Sequence, residues 1–243
     1  MWLRLRREGR TIHPRAVATG VTVESVDLDA GDQGDWKLLS HDELERAQRF
    51  ASDVSRARFV AGRAALRRAL ATIAAVEPAQ LVFDYAEHGR PELPSYPEVS
   101  FNLSHSEGVG LLAISTCGRV GVDVEIARPD FADMRIADRF FAPGEISRLR
   151  AVPAADRNLA FLRCWTRKEA LLKALGAGLT LPLRGFEVSL EAAHPPQLLD
   201  AGTVLGAGRW QLTDVSDLVP GAIAAVALDA RITSDPEMPM PAT

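Results

Sequence analysis

The sequence predicts a mixed α/β (α+β) fold made of two lobes of similar size. Stretches that alternate apolar and polar residues, typical of strands, occur along the whole chain, and four stretches with helical spacing lie between them. A length of 243 residues can bury one large core or two small ones. We expect an N-terminal lobe over residues 1–115, a C-terminal lobe over 116–232 and a disordered tail over 233–243.

The elements of the first lobe are predicted from pattern and capping signals. Residues 21–30 alternate apolar and polar side chains and predict a strand. Ser40, with Glu43 three positions later, forms a capping box that begins a helix. Residues 55–76 carry apolar side chains at helical spacing and predict a long amphipathic helix. Residues 99–115 predict two strands around a turn rich in serine and glycine.

The second lobe opens with a strand and continues with helices. The stretch GRVGVDVEIARP predicts a strand that ends at a proline. Residues 134–150 and 156–175 predict two helices, and Gly176 is placed to end the second one in a left-handed conformation. Three further strands are predicted in FEVSL, GRWQLTDV and GAIAAVALDA.

Composition and charge exclude several classes of protein. The formal net charge of −4 gives no reason to expect binding to nucleic acid or to an anionic membrane. No apolar run approaches the ~20 residues that a membrane-spanning helix needs, and no apolar segment of a secretory signal follows the basic N-terminus. Cys117 and Cys164 are the only cysteines, and we interpret them as small core residues. We therefore expect a cytoplasmic protein.

An acidic pair stands out on the predicted strand GVDVEI. Because side chains alternate between the two faces of a strand, Asp123 and Glu125 point to one face, and Val122, Val124 and Ile126 point to the other. Two carboxylates so close repel each other unless a cation or water screens them. Mg²⁺, which prefers carboxylate, water and phosphate oxygens, would suit this pair. The alternative is a half-exposed strand with a solvated acidic face.

The predicted helix over residues 156–175 carries an unusual concentration of lysine after Trp165. The chain has 28 lysines and arginines, of which only Lys37, Lys168 and Lys173 are lysines. Trp165, Glu169 and Lys173 are spaced by four and share one helical stripe. A lysine can give up a proton, which an arginine effectively cannot. The alternative is that Glu169 and Lys173 form an ordinary surface ion pair. Taken together with Asp123 and Glu125, however, the stripe favours metal-assisted phosphoryl chemistry.

Four motifs then match a known family. GRPEL, FNLSHS, GVDVE and WTRKEALLKALGAGL occur in this order within residues 40–190. They resemble the signature blocks of the 4′-phosphopantetheinyl transferases of the surfactin-synthetase-activating type. The resemblance implies a monomer with two pseudo-symmetric lobes, each a small, mostly antiparallel sheet with helices, and a cleft for coenzyme A and Mg²⁺ between them.

The resemblance also implies an activity and the residues that perform it. Members of the family transfer the phosphopantetheine arm of coenzyme A to a serine of an apo carrier protein and release adenosine 3′,5′-bisphosphate. By carry-over, Asp123, Glu125 and Glu169 would ligate Mg²⁺, with Mn²⁺ as an alternative. Lys173 would hold the phosphates and assist departure of the leaving oxygen. Glu169, directly or through a metal-bound water, would take the proton of the carrier serine, so Asp123, Glu169 and Lys173 form the predicted catalytic set.

Coenzyme A binding is the third set of roles that the resemblance implies. His105 would lie near the 3′-phosphate, with Ser104 against a phosphate or the adenine. Arg90 in GRPEL matches a basic position beside the adenine nucleotide. Arg46 and Arg58 are the best matches for the basic residues that the family places against the 3′-phosphate. Their alignment is less sharp, because a shift of one helical turn would put Arg49 or Arg56 in their place. The predicted coenzyme A ligands are Arg46, Arg58, Arg90, Ser104, His105, Lys168 and Lys173.

Two other functions remain open on sequence grounds. The acidic cluster would also serve a Mg²⁺-dependent nucleotide hydrolase or nucleotidyl transferase, although no glycine-rich phosphate loop is present. The second open function is that of a non-catalytic module that binds coenzyme A or a carrier protein. The expected protein partner is an acyl, peptidyl or aryl carrier protein of fatty-acid, polyketide or nonribosomal-peptide synthesis. We expect it to dock near RFFAPGEISRLR, because carrier helices are acidic.

Overall fold

The computed structural model describes residues 14–86, 88–128, 133–176, 181–206 and 208–230 and confirms a mixed α/β fold. The predicted tail over 233–243 lies outside the described residues. The strands are β1 Arg15–Ala18, β2 Val21–Asp27, β3 Asp84–Tyr85, β4 Pro91–Glu92, β5 Ser100–Ser106, β6 Val109–Ser115, β7 Arg119–Ile126, β8 Glu187–Val188, β9 Leu198–Asp200, β10 Trp210–Asp214 and β11 Ala222–Asp229. The helices are α1 His41–Gln48, α2 Asp53–Ala74, α3 Met134–Phe140, α4 Pro143–Ala151, α5 Ala154–Leu175 and α6 Gly202–Leu205.

Two antiparallel sheets organise these elements. The first has the strand order β1-β2-β6-β5 and the second the order β10-β11-β7. All strands of the first sheet lie before residue 116, and all strands of the second lie after residue 118. Along the chain, the change from the first sheet to the second therefore falls between residues 115 and 119. Within the described residues, no helix combines the length and apolar composition that crossing a bilayer requires.

Three details differ from the predicted elements. The single helix predicted over 134–150 is two helices, because Phe141 and Ala142 adopt extended conformations before Pro143 begins α4. Proline restricts the residue before it to extended backbone and is well suited to the first turn of a helix. The predicted strand FEVSL pairs only over Glu187–Val188. Strands β1, β3, β4 and β9 and helix α6 have no counterpart among the predicted elements.

Helix α5 packs on the second sheet at an unusually short distance. Its buried residues include Ala170, Leu171 and Ala174, which join the core cluster beneath β11. A Cβ atom on Gly121 of β7 would lie 2.1 Å from the carbonyl oxygen of Ala170. Only glycine therefore allows the helix backbone to lie so close to β7. Gly176, with φ of 74°, ends the helix in the predicted left-handed conformation.

The two sheets meet where β5 lies beside β7. Ser100 Oγ accepts a hydrogen bond from the Val120 N–H (3.0 Å), and Asn102 Oδ1 accepts one from the Val122 N–H (2.9 Å). The partner numbers rise together along both strands, so β5 and β7 run parallel here. Side chains of β5 thus occupy the edge of β7, where a neighbouring strand would otherwise offer backbone carbonyls. We call this set of bonds the β5 side-chain ladder.

Candidate active site

The predicted acidic pair and the predicted helical stripe face the same cavity. Asp123 and Glu125 project from β7, and Glu169 and Lys173 project from α5, which Gly121 allows to lie directly against that strand. The cavity has a volume of about 570 Å³. It is lined by Ser104, His105, Asp123, Glu125, Arg139, Phe140, Trp165, Glu169, Lys173, Leu181, Pro182, Leu183 and Arg184.

A three-way hydrogen-bonded contact forms one wall of the cavity. Lys173 Nζ donates to Asp123 Oδ1 at 2.5 Å and to Ser104 Oγ at 2.8 Å. The Ser104 hydroxyl donates in turn to Asp123 Oδ1 at 2.9 Å. Asp123 and Ser104 are both buried. The ammonium of Lys173 therefore neutralises one carboxylate of the site and is held in place by two partners.

The negative charge of the cavity is only partly compensated. Among the described residues, the buried atoms Asp123 Oδ2 and Glu169 Oε1 have no hydrogen-bond partner. Burial raises the pKa of Glu169, and the charge of Asp123 adds to this rise more than Lys173 opposes it. Burial and Asp123 likewise raise the pKa of Glu125, against a lowering hydrogen bond from Ser106. The site has oxygen atoms ready to accept a further cation or proton.

The oxygen donors of this cavity fit Mg²⁺ in their chemistry. Their present arrangement is not a complete metal site. In the described part of the chain, no group of three or more His, Cys, Asp or Glu side chains is placed to hold a metal ion. Mg²⁺ usually keeps several waters and is bound through one or two carboxylates together with substrate phosphates. A carboxylate set with unpartnered buried oxygens therefore suits an ion that binds together with a phosphate.

His105 adds a titratable side chain on β5 at the edge of the same cavity. Although its surface is exposed toward the cavity, desolvation lowers the pKa of His105, and the charges of Lys173 and Arg58 lower it further. The imidazole therefore lies in a positive environment that would favour an anionic ligand. Arg58 itself is paired with Asp29, with 2.6 Å between Nε and Oδ1.

Four of the predicted ligands do not line the cavity. Arg46 is exposed on α1, with its guanidinium 5.4 Å from the centroid of the Phe59 ring. Arg58 lies outside the lining but close enough to His105 to affect its titration. The remaining two, Arg90 and Lys168, are committed to other parts of the protein.

Arg90 binds the C-terminal end of α5. Its Nη1 donates to the carbonyl oxygens of Lys173 (2.9 Å) and Ala174 (3.0 Å), and its Nη2 donates to Ser100 Oγ (2.9 Å). Basic side chains commonly satisfy the last carbonyls of a helix in this way. The predicted contact between the Arg90 side chain and the adenine nucleotide does not fit this placement. Arg90 instead holds the turn of α5 that carries Lys173.

Lys168 lies on α5 outside the lining of the cavity. Its side chain is 0% exposed, and Nζ donates to Glu145 Oε1 (2.7 Å) and to the Phe186 carbonyl (2.6 Å). Glu145 is equally buried and accepts two backbone N–H groups, from Ala142 and Val188, each at 2.8 Å. The predicted contact between Lys168 and coenzyme A does not fit this placement, because the ammonium joins α5 to α4 and β8.

The cavity has an apolar end that the sequence motifs leave unassigned. Trp165 lies one turn before Glu169 on α5, and its ring makes an edge contact with Phe140 at 6.1 Å between centroids. Arg139 and Arg184 add positive charge to this end. In the sequence, the only signal for this end of the cavity is the stripe that Trp165 shares with Glu169 and Lys173. Residues 181–184, which also line the cavity, carry no recognisable motif.

Comparison with known proteins agrees with the motifs. The model of the 4′-phosphopantetheinyl transferase superfamily matches residues 119–225. The 4′-phosphopantetheinyl transferase HetI of Nostoc sp. is 40% identical over 195 residues, which cover 78% of each chain. The 4′-phosphopantetheinyl transferase Sfp of Bacillus subtilis is 30% identical over 153 residues, covering 63% of this chain and 67% of Sfp.

One solved structure also aligns with part of the chain. It is described as a Chronobacterium ammoniagenes ACPS-CoA complex; the alignment covers 45% of this chain and 94% of that one, with 20% identity and a TM-score of 0.36. The sequence relatives decide the matter, since HetI is aligned over more than three quarters of both chains. The chain therefore belongs to the 4′-phosphopantetheinyl transferase superfamily.

Proposed function

We propose that this protein transfers the 4′-phosphopantetheine group of coenzyme A to a serine hydroxyl of an apo carrier protein. The observation that carries the proposal is one cavity in which Asp123, Glu125, Glu169 and Lys173 converge beside His105. In the reaction, the serine oxygen forms a bond to the phosphorus that bears pantetheine. The bond from that phosphorus to the bridging oxygen breaks, and adenosine 3′,5′-bisphosphate leaves.

The residues of the cavity divide the work of this transfer. Glu169 takes the proton of the attacking serine as the general base. Lys173 binds the diphosphate and stabilises the negative charge on the leaving oxygen. Asp123 and Glu125, with Glu169, would hold Mg²⁺, with Mn²⁺ as the alternative. When bound, the ion supplies charge stabilisation on the phosphate oxygens.

His105 is the residue that we assign to the nucleotide end of coenzyme A. Lys173 and Arg58 already create a positive field around its imidazole. Arg58 can turn from Asp29 toward a phosphate, because both side chains are partly exposed. A phosphate at this position would also raise the pKa of His105 and favour its charged form. Arg46, on the surface of α1, is the more distant candidate for the same phosphate.

The carrier protein is proposed to dock on the basic surface beside the apolar end of the cavity. A second depression of about 420 Å³ is lined by Ile146, Arg150 and Arg184 among others, and it shares Arg184 with the first cavity. An acidic helix would find positive charge there next to apolar side chains. Within the same predicted docking segment, Arg148 is paired with Glu187, and Arg150 is paired with Asp138, which also lines the depression. We further propose a monomer, as the resemblance to the surfactin-synthetase-activating transferases implies.

A cytosolic location is part of the same proposal. Cys117 and Cys164 are both free thiols, and this fits a reducing compartment.

The decisive experiment is intact-mass analysis of several apo carrier proteins after incubation with the purified protein, Mg²⁺ and coenzyme A. We expect the mass of phosphopantetheine to be added to at least one carrier. The variants Asp123→Ala and Glu169→Ala should abolish transfer, while Arg135→Ala, on the exposed face of α3, serves as a control. Tight binding of coenzyme A without transfer to any carrier would support a binding module instead.

The docking surface needs a separate test. Arg150→Glu and Arg184→Glu should raise the KM for the carrier and leave the KM for coenzyme A unchanged. Arg135→Glu makes the same change of charge on a fully exposed side chain away from both cavities. Equal carrier KM values in all three variants would refute this placement of the carrier.

A further inference from the structure

The last serine of the motif FNLSHS has a specific partner in the proposed metal site. The Ser106 hydroxyl donates to Glu125 Oε2 at 3.0 Å, and its oxygen accepts the Ile126 N–H at 3.2 Å. Glu125 and Ile126 are consecutive residues of β7, so a single hydroxyl contacts both the backbone and the carboxylate at the end of this strand. The metal and coenzyme A assignments given above leave Ser106 without a role.

The β5 side-chain ladder fixes where this hydroxyl lies. Two earlier steps of the ladder, Ser100 to Val120 and Asn102 to Val122, hold the parallel strands in register. Ser106 and Ile126 lie four residues beyond Asn102 and Val122, so their bond keeps the same register. Its oxygen is therefore placed by the backbone of both sheets and does not depend on any bound ligand.

The commitment of this hydroxyl constrains Glu125. A serine has one O–H to donate, and here it is directed at Oε2, which leaves Oε1 as the oxygen free of this contact. A metal ligand must be correctly oriented, and outer hydrogen bonds commonly provide that orientation.

We propose that Ser106 is a positioning residue, which orients the Glu125 carboxylate for a divalent cation. This inference rests on the proposed function, because it assumes that Glu125 is a metal ligand. Ser106 acts through Glu125, whereas Ser104 is bonded to Asp123 and Lys173. The two serines of the motif thus serve the two carboxylates of β7, one each.

The test measures Mn²⁺ binding directly, in the presence of coenzyme A, by electron paramagnetic resonance of free and bound ion. Ser106→Ala should weaken Mn²⁺ binding by about 10- to 100-fold, the usual effect of removing an outer hydrogen bond from a metal ligand. Ser106→Thr keeps the hydroxyl and should restore most of the affinity. Ser100→Ala is the matched control, because it removes a ladder hydroxyl that has no carboxylate partner.

The outcomes separate this inference from the proposed function. Asp123→Asn, expected to lose Mn²⁺ binding, shows that the signal reports on this cavity. If the wild-type protein binds no Mn²⁺, the metal part of the proposed function fails. If the wild type binds Mn²⁺ and Ser106→Ala binds it equally well, only the role of Ser106 is overturned. Equal weakening in Ser100→Ala and Ser106→Ala would also overturn it, since the effect would then belong to the strand as a whole.

Discussion

Replacing Lys168 with methionine distinguishes a structural lysine from a ligand-binding one. Methionine has a similar length and no charge, so Lys168→Met removes the ammonium while largely filling its space. Three interactions disappear: the ion pair with Glu145 at 2.7 Å, the hydrogen bond to the Phe186 carbonyl at 2.6 Å and the contact with the Phe186 ring at 4.2 Å. The carboxylate of Glu145 is left buried without its counter-ion.

The size of the effect follows from this burial. Removing one partner of a buried ion pair destabilises a protein by about 3–5 kcal/mol. Glu145 keeps two backbone N–H donors, from Ala142 and Val188, so we expect the lower end of that range. For a chain of this size, each kcal/mol shifts Tm by about 2–4 °C. A loss of about 3 kcal/mol therefore predicts a Tm lower by roughly 6–12 °C.

Thermal and urea unfolding measure the stability, and calorimetric titration measures coenzyme A affinity. We expect Lys168→Met to lose stability with the dissociation constant for coenzyme A unchanged. The exposed Lys37→Met is the matched control and should change neither. Adding Glu145→Gln to Lys168→Met should recover part of the loss, because the buried charge is removed. A normal Tm combined with a coenzyme A affinity reduced tenfold or more would refute the structural role.

Three further predictions concern the elements around the cavity. Gly121→Ala should lower stability by at least about 1–3 kcal/mol in urea unfolding, because its Cβ would overlap Ala170, whereas Gly110→Ala makes only ordinary contacts. Arg90→Lys should lower the free energy of unfolding by about 1–3 kcal/mol, measured with urea, because lysine cannot make all the hydrogen bonds that Arg90 makes to the end of α5. The pKa of Glu169 is raised above its usual 4.5, so the folded protein retains a proton that the unfolded chain loses. Without divalent cations, the free energy of unfolding should therefore fall as the pH rises above 4.5 through the raised pKa. Urea unfolding of Glu169→Gln should show a smaller decline, because Glu125, whose pKa is also raised, still contributes. Parallel curves for both proteins would contradict this prediction.

The alternation of side chains on one strand and the four-residue spacing on one helix were sufficient to predict most of the acidic wall. Asp123, Glu125, Glu169 and Lys173 do face a common cavity, because strand and helix periodicity determine side-chain direction locally. The long helix α2 and the hairpin of β5 and β6 were also predicted, since their apolar patterns are continuous.

The same motifs do not predict which side chains contact each other when they are far apart in the sequence. Lys168 and Lys173 are five residues apart on one helix, and the motif gives no indication that one is buried against Glu145 while the other faces the cavity. Arg90 is similar, since its partners at the end of α5 lie more than 80 residues away in the chain. Short elements such as β9 have too few residues to show a period, so they depend on their neighbours.

The β5 side-chain ladder also determines how the two sheets can be displaced against each other. A slip of one residue would turn Phe101 and Leu103 toward the amides of β7, and neither side chain can accept a hydrogen bond. The smallest slip that keeps polar groups facing those amides is two residues, or about 6.6 Å. Such a step would separate Ser106 from Glu125. Sliding of one sheet along the other would therefore break all of these hydrogen bonds, whereas rotation about the ladder would keep them.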